Sequence, residues 1–478
     1  MQQARLAATE YQECTVRGSL PPDLQGALFR VGGSWYYPPK FADDIPLHAD
    51  GFISSFRISN GRVGYSGRFI ETDRMRANRG AGRMRFGYYR NRQTDEQEVA
   101  TVNASAANTS AFAFNGKLLA LKEDSLPYEI DPATLETLGT FDFEGQITSR
   151  TFTAHPKVDG ETGELVTFGY QAAGAFTEDV FLYVIGSDGQ VRNEIRVSLP
   201  WLDMVHDIAI TREHILLPMG GYGIDRRGLA AGGPLWKWDP NAPARIGVLR
   251  RDGNGSDLKW FTGPKRCLLH TFNAFCDGDR ITLDAPFYRG NPFPFLKSMD
   301  GSGWQRDFGQ AFVRRLTIDL ASSSDEWHEE ILFDTVIGDL GAVDPRRVGS
   351  RHRYCFGAHE LPIPEDDAAA IRRPPWPISN SYLRFDTERH VANVLALAPA
   401  QSLDECIFVP REGSKREGEG YLLGVADDLA GSTSELIVAD AENLEAGPVA
   451  RAILPMRAGP KVHGCWAGEG TLPLRTLP

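Results

Sequence analysis

Four of the ten histidines in this 478-residue sequence stand in settings that could hold a metal ion. Each lies beside a short apolar run and far along the chain from the other three: His155, His206, His270 and His463. The steps between them are 51, 64 and 193 residues, and seven equal repeats would each span about 68 residues (478/7). The first two steps are therefore close to one repeat and the third to three. Equivalent positions on the inner strands of a closed repeat architecture would bring all four rings to one axis.

The spacing does not by itself decide between a metal site and ordinary core histidines. A single histidine on an apolar strand is more often a hydrogen-bonded core residue than a ligand. The sequence contains no HExxH, CxxC or similar short metal signature. Spacing therefore permits a four-histidine site without establishing one.

The elements that would position these rings are β-hairpins. Two apolar runs flank the turn Ser59-Asn60-Gly61, and the same device recurs at Asn115-Gly116, Asp188-Gly189 and Asp277-Gly278. Long amphipathic helical stretches are scarce. Hairpins at such intervals are typical of a propeller or a large sandwich. No segment has the composition of an interdomain linker, so we expect a single domain over residues 1–478.

Two long segments interrupt the hairpin pattern, at about 220–240 and about 288–308. The second of them is rich in proline, glycine and aromatic residues. Insertions between strands usually lie over one face of a scaffold, where loops form binding sites. We therefore expect both segments to form a cap over one face of the domain.

Composition and charge exclude several classes of partner. The net charge is −12, the pI is near 5.4, and no dense run of Lys and Arg occurs, which argues against nucleic acid because phosphate binding needs clustered cations. Six cysteines without CxxC spacing are typical of free thiols in a reducing compartment. The sequence has no signal-peptide core and no run of 18 apolar residues. These features predict a cytoplasmic protein without a membrane anchor, and they leave open whether it forms a homodimer.

The motifs around the four histidines resemble the carotenoid cleavage oxygenase superfamily. In the family's order, and over nearly the whole chain, the sequence contains LPPDLQGALFRVGG, HADGFISSF, NTSAFAFNGKLLALKED, AHPKVD, VHDIAIT, LLHTFNAF, DPRRVGSRHRYCFGA and VHGCW. The resemblance implies an all-β, seven-bladed β-propeller with a helix and loop cap. It also implies a non-haem Fe(II) ion, Fe(2+), held by the four histidines.

Neutral imidazoles are good ligands for Fe(II), and four of them leave two octahedral positions free for oxygen. The resemblance places carboxylates behind the ligands, where they would orient the rings by accepting the other ring N–H. By motif match these are Glu123 in LALKEDSLP, Glu417 in REGEGYLL and Asp339 in DLGAVDPRR, where the family has a glutamate. Thr109, in the NTS match, is expected near an open iron position, where its methyl group could narrow the access of water. A buried strand threonine is the alternative.

Within the superfamily, the sequence is most similar to the bacterial and fungal stilbene-cleaving branch. Tyr89 in FGYYRN and Lys122 in LALKED match positions that bind the substrate's 4-hydroxyl group in that branch, and Tyr88 could fill the role of Tyr89. A phenol has a pKa of about 10, and an ammonium within about 4–6 Å lowers it by about 1–3 units. A phenolate pushes electron density onto a conjugated alkene. The resemblance therefore predicts a dioxygenase of lignin-derived aromatic catabolism that cleaves the central double bond of 4-hydroxystilbenes with O2, giving two aromatic aldehydes.

One pocket position departs from the pattern of that branch. Leu47, just before the HADG motif, stands where the branch often has a phenylalanine that stacks on the substrate ring. Leucine would leave more room for a substituted stilbene. Phe293 or Phe295, in the second long insertion, could supply the missing aromatic wall.

Two other functions stay open at this point. Cleavage of a carotenoid or apocarotenoid would need a longer apolar tunnel and an apolar membrane-docking patch, and a mean hydropathy of −0.30 gives no sign of such a patch. A propeller that serves as an inactive binding scaffold would be expected to have lost one or more of the four histidines. All four are present.

Overall fold

Seven antiparallel sheets follow one another along the chain and form the blades of a β-propeller. The computed structural model describes residues 6–333, 339–362, 379–398, 401–459 and 461–477. Within them, the seven sheets have four to six strands each, and one further two-stranded sheet lies outside the blades. The predicted all-β, seven-bladed architecture is confirmed.

The first four blades have four or five strands each. Blade 1 consists of Thr9–Glu13, Arg62–Phe69, Asp50–Ser59, Gly26–Ser34 and His463–Gly468. Blade 2 consists of Ser110–Phe114, Lys117–Leu121, Tyr128–Ile130 and Thr137–Thr140. Blade 3 consists of Lys157–Val158, Leu165–Tyr170, Asp179–Ile185 and Val191–Ser198. Blade 4 consists of Ala209–Ile210, His214–Met219, Ala244–Arg250 and Lys259–Gly263.

The last three blades have interrupted or short innermost strands. Blade 5 consists of Cys267–Leu268, Asn273–Asp277, Arg280–Tyr288, Ala311–Asp319 and His328–Ile331. Blade 6 consists of Ala342–Val343, Tyr354–His359, Ser381–Asp386 and Val391–Ala396. Blade 7 consists of Gln401–Leu403, Ile407–Pro410, Gly420–Asp428, Ser434–Asp440, Pro448–Leu454 and Thr15–Gly18.

Helices are few among the described residues. The two α-helices are Asp73–Ala81 and Arg226–Ala230. The 3-10 helices are Pro46–His48, Arg92–Thr94, Gln97–Val99, Gly255–Asp257, Arg306–Gly309, Pro345–Arg347 and Leu444–Ala446. No helix in the described part of the chain is long and apolar enough to cross a membrane.

Turn chemistry explains the first two hairpins. Asn60 and Gly61 both take positive φ, at 51° and 73°, and Asn115 and Gly116 do so at 46° and 73°. A two-residue hairpin of the I′ type requires this conformation at both central positions, which Asn and Gly adopt at low cost. The strands on either side pair as predicted.

Both ends of the described chain take part in closing the ring. Thr9–Glu13 is the outer strand of blade 1, and Thr15–Gly18 is the outer strand of blade 7. At the other end of the chain, His463–Gly468 pairs with Gly26–Ser34 as the innermost strand of blade 1. This pairing of the two ends of the chain closes the ring and fixes the position of the strand that carries His463.

The two long insertions lie together. In the first, Tyr222–Ile224 and Trp236–Trp238 form the two-stranded sheet around the helix Arg226–Ala230. The Trp238 N–H donates to the carbonyl of Lys297 at 3.0 Å, and the Met299 N–H donates to the carbonyl of Trp238 at 2.8 Å. These bonds join the first insertion to the second, as expected for a shared cap. That the chain forms one domain stays a prediction.

Candidate metal centre and substrate cavity

The four candidate ligands occupy equivalent places in four different blades. His155 and His206 come just before the innermost strands of blades 3 and 4, and His463 begins the innermost strand of blade 1. His270 lies in the interruption between the two inner strands of blade 5. Because the innermost strands surround the axis, residues at these places point to one region despite their distance along the chain.

The ring nitrogens of these histidines meet closely enough to share one ion. One nitrogen from each ring lies within 4.8 Å of the other three. Nε2 of His206 is 3.1 Å from Nε2 of His155 and 3.0 Å from Nε2 of His270. Metal–nitrogen bonds of about 2.1 Å at right angles place two donors about 3.0 Å apart, whereas tetrahedral angles place them about 3.4 Å apart. The two separations at His206 are closer to the octahedral value, and a divalent ion held in that geometry by four imidazoles would have two open positions.

Carboxylates hold three of the rings from behind. The pairs that bring a carboxylate oxygen to Nδ1 are His206 with Glu123, His270 with Asp339 at 2.6 Å, and His463 with Glu405 at 3.0 Å. A carboxylate at Nδ1 favours the tautomer with the proton on that nitrogen, which leaves the Nε2 lone pair free to bind a metal. These three contacts therefore leave the Nε2 atoms of His206, His270 and His463 available to bind a metal ion.

The prediction that Glu417 is one of these carboxylates is wrong. Its Oε1 accepts hydrogen bonds from the backbone N–H groups of Arg353 and Tyr354, at 2.7 and 2.8 Å. Glu405 holds His463 instead. The motif match failed because REGEGYLL leads into Gly420–Asp428, which is the second strand from the axis in blade 7. Glu405 lies nearer the axis, between the innermost strands Gln401–Leu403 and Ile407–Pro410.

Blade spacing is the signal that could have found Glu405. Every blade places one polar residue before or within its innermost strand: Thr109, His155, His206, His270, Asp339, Glu405 and His463. The successive steps are 46, 51, 64, 69, 66 and 58 residues, each close to one blade. Four of these positions carry the candidate ligands, two carry the carboxylates behind neighbouring histidines, and Thr109 lines the cavity.

The carboxylates have partners of their own. Glu123 accepts a hydrogen bond from the Tyr170 hydroxyl at 2.7 Å, and Glu405 lies 3.1 Å from the Arg30 guanidinium. Asp339 accepts from the Tyr288 hydroxyl at 2.8 Å and reaches His270 directly, although it is one methylene shorter than glutamate. Burial works to raise the pKa of all three carboxyl groups, but the neighbouring imidazoles and these partners hold each pKa below its usual value. All three are therefore anionic at neutral pH.

A cavity of about 320 Å³ opens onto the histidines. Its lining is mainly apolar, and its polar members include His206, His270, His463, Lys122 and Tyr89. Small-molecule sites usually have this character and a volume of about 300–1,000 Å³. A small organic molecule in this cavity would lie within reach of the candidate metal centre.

Lys122 is fixed in the wall of this cavity. Its Nζ donates to the carbonyl of Leu47 at 2.7 Å and to Oδ1 of Asn108 at 2.6 Å. An ammonium has three N–H donors, so one is left to face the cavity. Burial lowers the pKa of Lys122 to about 8, with further lowering by Arg74 and Arg90. The sequence predicted the lysine, but not the carbonyl of Leu47 and the amide of Asn108 that orient it.

Tyr89 stands beside this ammonium, with its ring centroid 5.4 Å from Nζ of Lys122. Tyr89 is buried and lines the cavity, and burial raises the pKa of its hydroxyl. Tyr88 is not part of the lining; its hydroxyl donates to Asp43 at 2.8 Å and its ring stacks on Phe41. Of the two tyrosines, Tyr89 is the one in a position to bind a substrate.

The family model described as retinal pigment epithelial membrane protein matches residues 2–468. The chain belongs to the carotenoid cleavage oxygenase family. Lignostilbene-alpha,beta-dioxygenase isozyme III of Sphingomonas paucimobilis is 34% identical over 463 residues, covering 96% of this chain and 94% of that protein. Isoeugenol monooxygenase of Pseudomonas nitroreducens is 37% identical over 458 residues, covering 94% and 93%. The crystal structure of Pseudomonas brassicacearum lignostilbene dioxygenase superposes with a TM-score of 0.91 at 34% identity, covering 97% of this chain and 96% of that chain.

The remaining predicted pocket residues lie around the same cavity. Leu47, Thr109, Phe293 and Phe295 all line it. The two phenylalanine rings stack on each other, with centroids 5.3 Å apart. An aromatic wall therefore exists although Leu47 stands where the branch often has phenylalanine.

The correction from Glu417 to Glu405 gives a matched pair of variants. Glu405→Gln removes the anion behind His463 and is expected to weaken Fe(II) binding by about 10- to 100-fold, as loss of such partners typically does. Glu417→Gln should leave Fe(II) affinity unchanged, because Glu417 caps two backbone N–H groups. Competition with a chelator of known affinity measures both. Equal affinities for the two variants would contradict the assigned role of Glu405.

Proposed function

We propose that this protein is an Fe(II)-dependent dioxygenase that cleaves the central carbon–carbon double bond of 4-hydroxystilbenes with O2 to give two aromatic aldehydes. The observation that carries the proposal is a buried lysine with one free donor in the wall of a cavity that is also lined by three of the four converging histidines. The relatives named for lignostilbene and isoeugenol support it, because both compounds are phenols conjugated to an alkene.

The four imidazoles would hold a metal ion without cancelling its charge, because neutral imidazole carries none. Three anionic carboxylates lie behind the rings, at Nδ1, where they would raise the basicity of the ligands. Iron in this site would supply the activation of O2. The Thr109 side chain lines the cavity, where its methyl group limits the space for water.

Lys122 and Tyr89 bind the 4-hydroxyl end of the substrate. The free N–H of Lys122 donates to the phenol oxygen and stabilises the phenolate, since an ammonium at close range lowers a phenol's pKa by about 1–3 units. Tyr89 stays protonated because burial raises its pKa, so its hydroxyl can donate as well. The phenolate pushes electron density through the ring to the alkene, which becomes the reactive group at the metal centre.

The reactive complex pairs the Lys122 ammonium with the substrate's phenolate, so the two groups together carry one titratable proton. The pH dependence of kcat/KM follows from this requirement. Below the pKa of Lys122, which is about 8, both the lysine of the free enzyme and the phenol of the free substrate are protonated. One proton must leave to form the reactive pair, so kcat/KM rises with pH. Above the phenol pKa of about 10 both are deprotonated and kcat/KM falls. We expect a bell-shaped profile with its maximum between these values.

Stopped-flow or steady-state rates from pH 6 to 11 measure this profile. In Lys122→Met the bend near pH 8 should vanish, and kcat/KM should rise up to the pKa of the phenol itself. A wild-type profile that declines steadily from pH 6 would show that the shared-proton pair is not the reactive form.

The proposal is tested by an aerobic assay of Fe(II)-loaded protein on a 4-hydroxystilbene and an apocarotenoid side by side. We expect two aldehydes from the stilbene, at a kcat/KM well above that for the apocarotenoid. The cavity of about 320 Å³ is small for a long polyene. Faster cleavage of the apocarotenoid would overturn the assignment.

The 37% identity to an isoeugenol monooxygenase favours one second candidate, cleavage of a 4-hydroxyphenylpropene. Such a substrate would use the same lysine and tyrosine but would not fill the aromatic wall of Phe293 and Phe295. The ratio of kcat/KM for a hydroxystilbene to that for isoeugenol separates the two. Phe293→Ala should lower this ratio if the stilbene's second ring packs on the wall.

A further inference from the structure

A second cavity, of about 670 Å³, lies in the cap. Its walls come from both long insertions, mainly residues 237–240 and 289–308. One layer of chain separates it from the catalytic cavity: Phe293 and Phe295 line the catalytic side, Asn291 and Leu296 line the other, and Pro294 lines both. It is thus a distinct space next to the catalytic cavity.

The charge of this lining is opposite to that of the whole protein. Four cationic side chains and one acidic side chain line it: Lys237, Lys265, Arg289, Lys297 and Asp300. The chain as a whole carries a net charge of −12. A concave surface lined by one sign of charge focuses the field and attracts ligands of the opposite sign.

Two of these cations make neither an ion pair nor a side-chain hydrogen bond with the residues that the structure describes. Lys237 pairs with Asp225 at 2.6 Å, and Lys265 donates to the carbonyl of Asp239 at 3.0 Å. Arg289 and Lys297 make no ion pair with a described carboxylate, and the Arg289 guanidinium lies 5.2 Å from the centroid of Phe312. These two cations are available to an anionic ligand.

The remaining walls are aromatic and apolar. Trp238, Trp304, Phe308, Leu296 and Met299 contribute to the lining. Trp238 is buried, and its ring lies 5.3 Å from Nζ of Lys265. Trp304 is fixed by its indole N–H, which donates to the carbonyl of Asn291 at 2.9 Å. Flat, rigid walls of this kind favour an aromatic ring over an aliphatic chain.

We propose that this second cavity binds an aromatic carboxylate, with its ring between the tryptophan and phenylalanine side chains and its carboxylate on Arg289 and Lys297. A planar guanidinium pairs with both oxygens of a carboxylate, which favours this anion over a spherical one. Asp300 in the lining disfavours a polyanion such as a nucleotide phosphate. The proposal does not depend on the reaction assigned to the catalytic cavity.

Isothermal titration of the Fe(II)-loaded protein with 2-naphthoate tests the site. This probe has a carboxylate and a flat ring but no 4-hydroxyl group for Lys122. We expect saturable binding of one probe per chain, and binding roughly tenfold weaker for each of Arg289→Gln and Lys297→Gln, as loss of a charged hydrogen-bond partner predicts. Lys259→Gln is the matched control, because Lys259 is an exposed lysine outside the lining.

Three outcomes would overturn the proposal. Equal affinity for the neutral 2-naphthamide would mean that the cations are not used. Tighter binding of sulfate or adenosine monophosphate than of 2-naphthoate would mean a different class of anion. Loss of probe binding in Lys122→Met, with binding retained in Arg289→Gln, would place the probe in the catalytic cavity. None of these results bears on stilbene cleavage, which is assayed separately.

Discussion

Replacing Lys122 with methionine is expected to lower kcat/KM for a 4-hydroxystilbene by about 10- to 1,000-fold, because the phenol loses a neighbouring ammonium that shifts its pKa by about 1–3 units. Methionine keeps the length and apolar stem of lysine, so the cavity changes little in shape. The iron content should stay the same, since Lys122 contacts Leu47 and Asn108 and not the ligands. Steady-state assays with parallel iron analysis measure both quantities.

Two controls isolate the effect of the charge. Lys117→Met changes the lysine that begins the strand Lys117–Leu121, which Lys122 directly follows; Lys117 pairs with Glu129, and the variant should leave kcat/KM unchanged. A 4-methoxystilbene, which cannot form a phenolate, should be a poor substrate for the unchanged protein. Near-normal turnover by Lys122→Met, or brisk cleavage of the methoxy compound, would exclude phenol activation.

Replacing His270 with alanine is expected to reduce the iron content from near one ion per chain to a small fraction of that value. The variant loses one of four ligands, and it leaves the Asp339 carboxylate without its imidazole partner. His206→Ala should behave alike, because Glu123 loses its partner in the same way. Activity should fall in parallel with the iron content.

A histidine away from the axis provides the control for this loss. His328 is exposed at the start of the outer strand of blade 5, so His328→Ala should retain iron and activity. Anaerobic loading followed by gel filtration and metal analysis gives the stoichiometry. If His270→Ala or His206→Ala keeps a full equivalent of iron, that histidine is not a ligand.

Local sequence signals were sufficient for much of the fold. The pairs Asn60-Gly61 and Asn115-Gly116 specify tight hairpins because both residues tolerate positive φ, and the strands beside them form as predicted. The spacing of the histidines reflects the length of one blade. That length can be counted in the sequence without knowledge of any single contact. Motif order then identified the family over nearly the whole chain.

The carboxylates behind the histidines include one residue that local sequence signals identify and one that they do not. Glu123 could be placed because it follows the strand of a recognisable motif. Glu405 could not, because its role depends on contacts with His463 and Arg30, which are 58 and 375 residues away in sequence. No short pattern encodes such distant contacts; only the blade repeat, counted across all seven inner strands, points to the position.

The residues that line the cavity could be predicted from the sequence, but the hydrogen bonds that orient them could not. Lys122, Tyr89, Leu47 and Phe293 were all expected near the substrate, and all four line the cavity. The orientation of Lys122 depends on the carbonyl of Leu47, a backbone group that carries no residue signature. Such contacts require the folded chain.

The most direct test of the account is X-ray absorption at the iron edge of anaerobically loaded protein. The convergence of His155, His206, His270 and His463 predicts a first shell dominated by nitrogen, with the outer-shell scattering of four imidazole rings. A spectrum that fits two or fewer imidazoles, with carboxylate oxygens making up the shell, would contradict it.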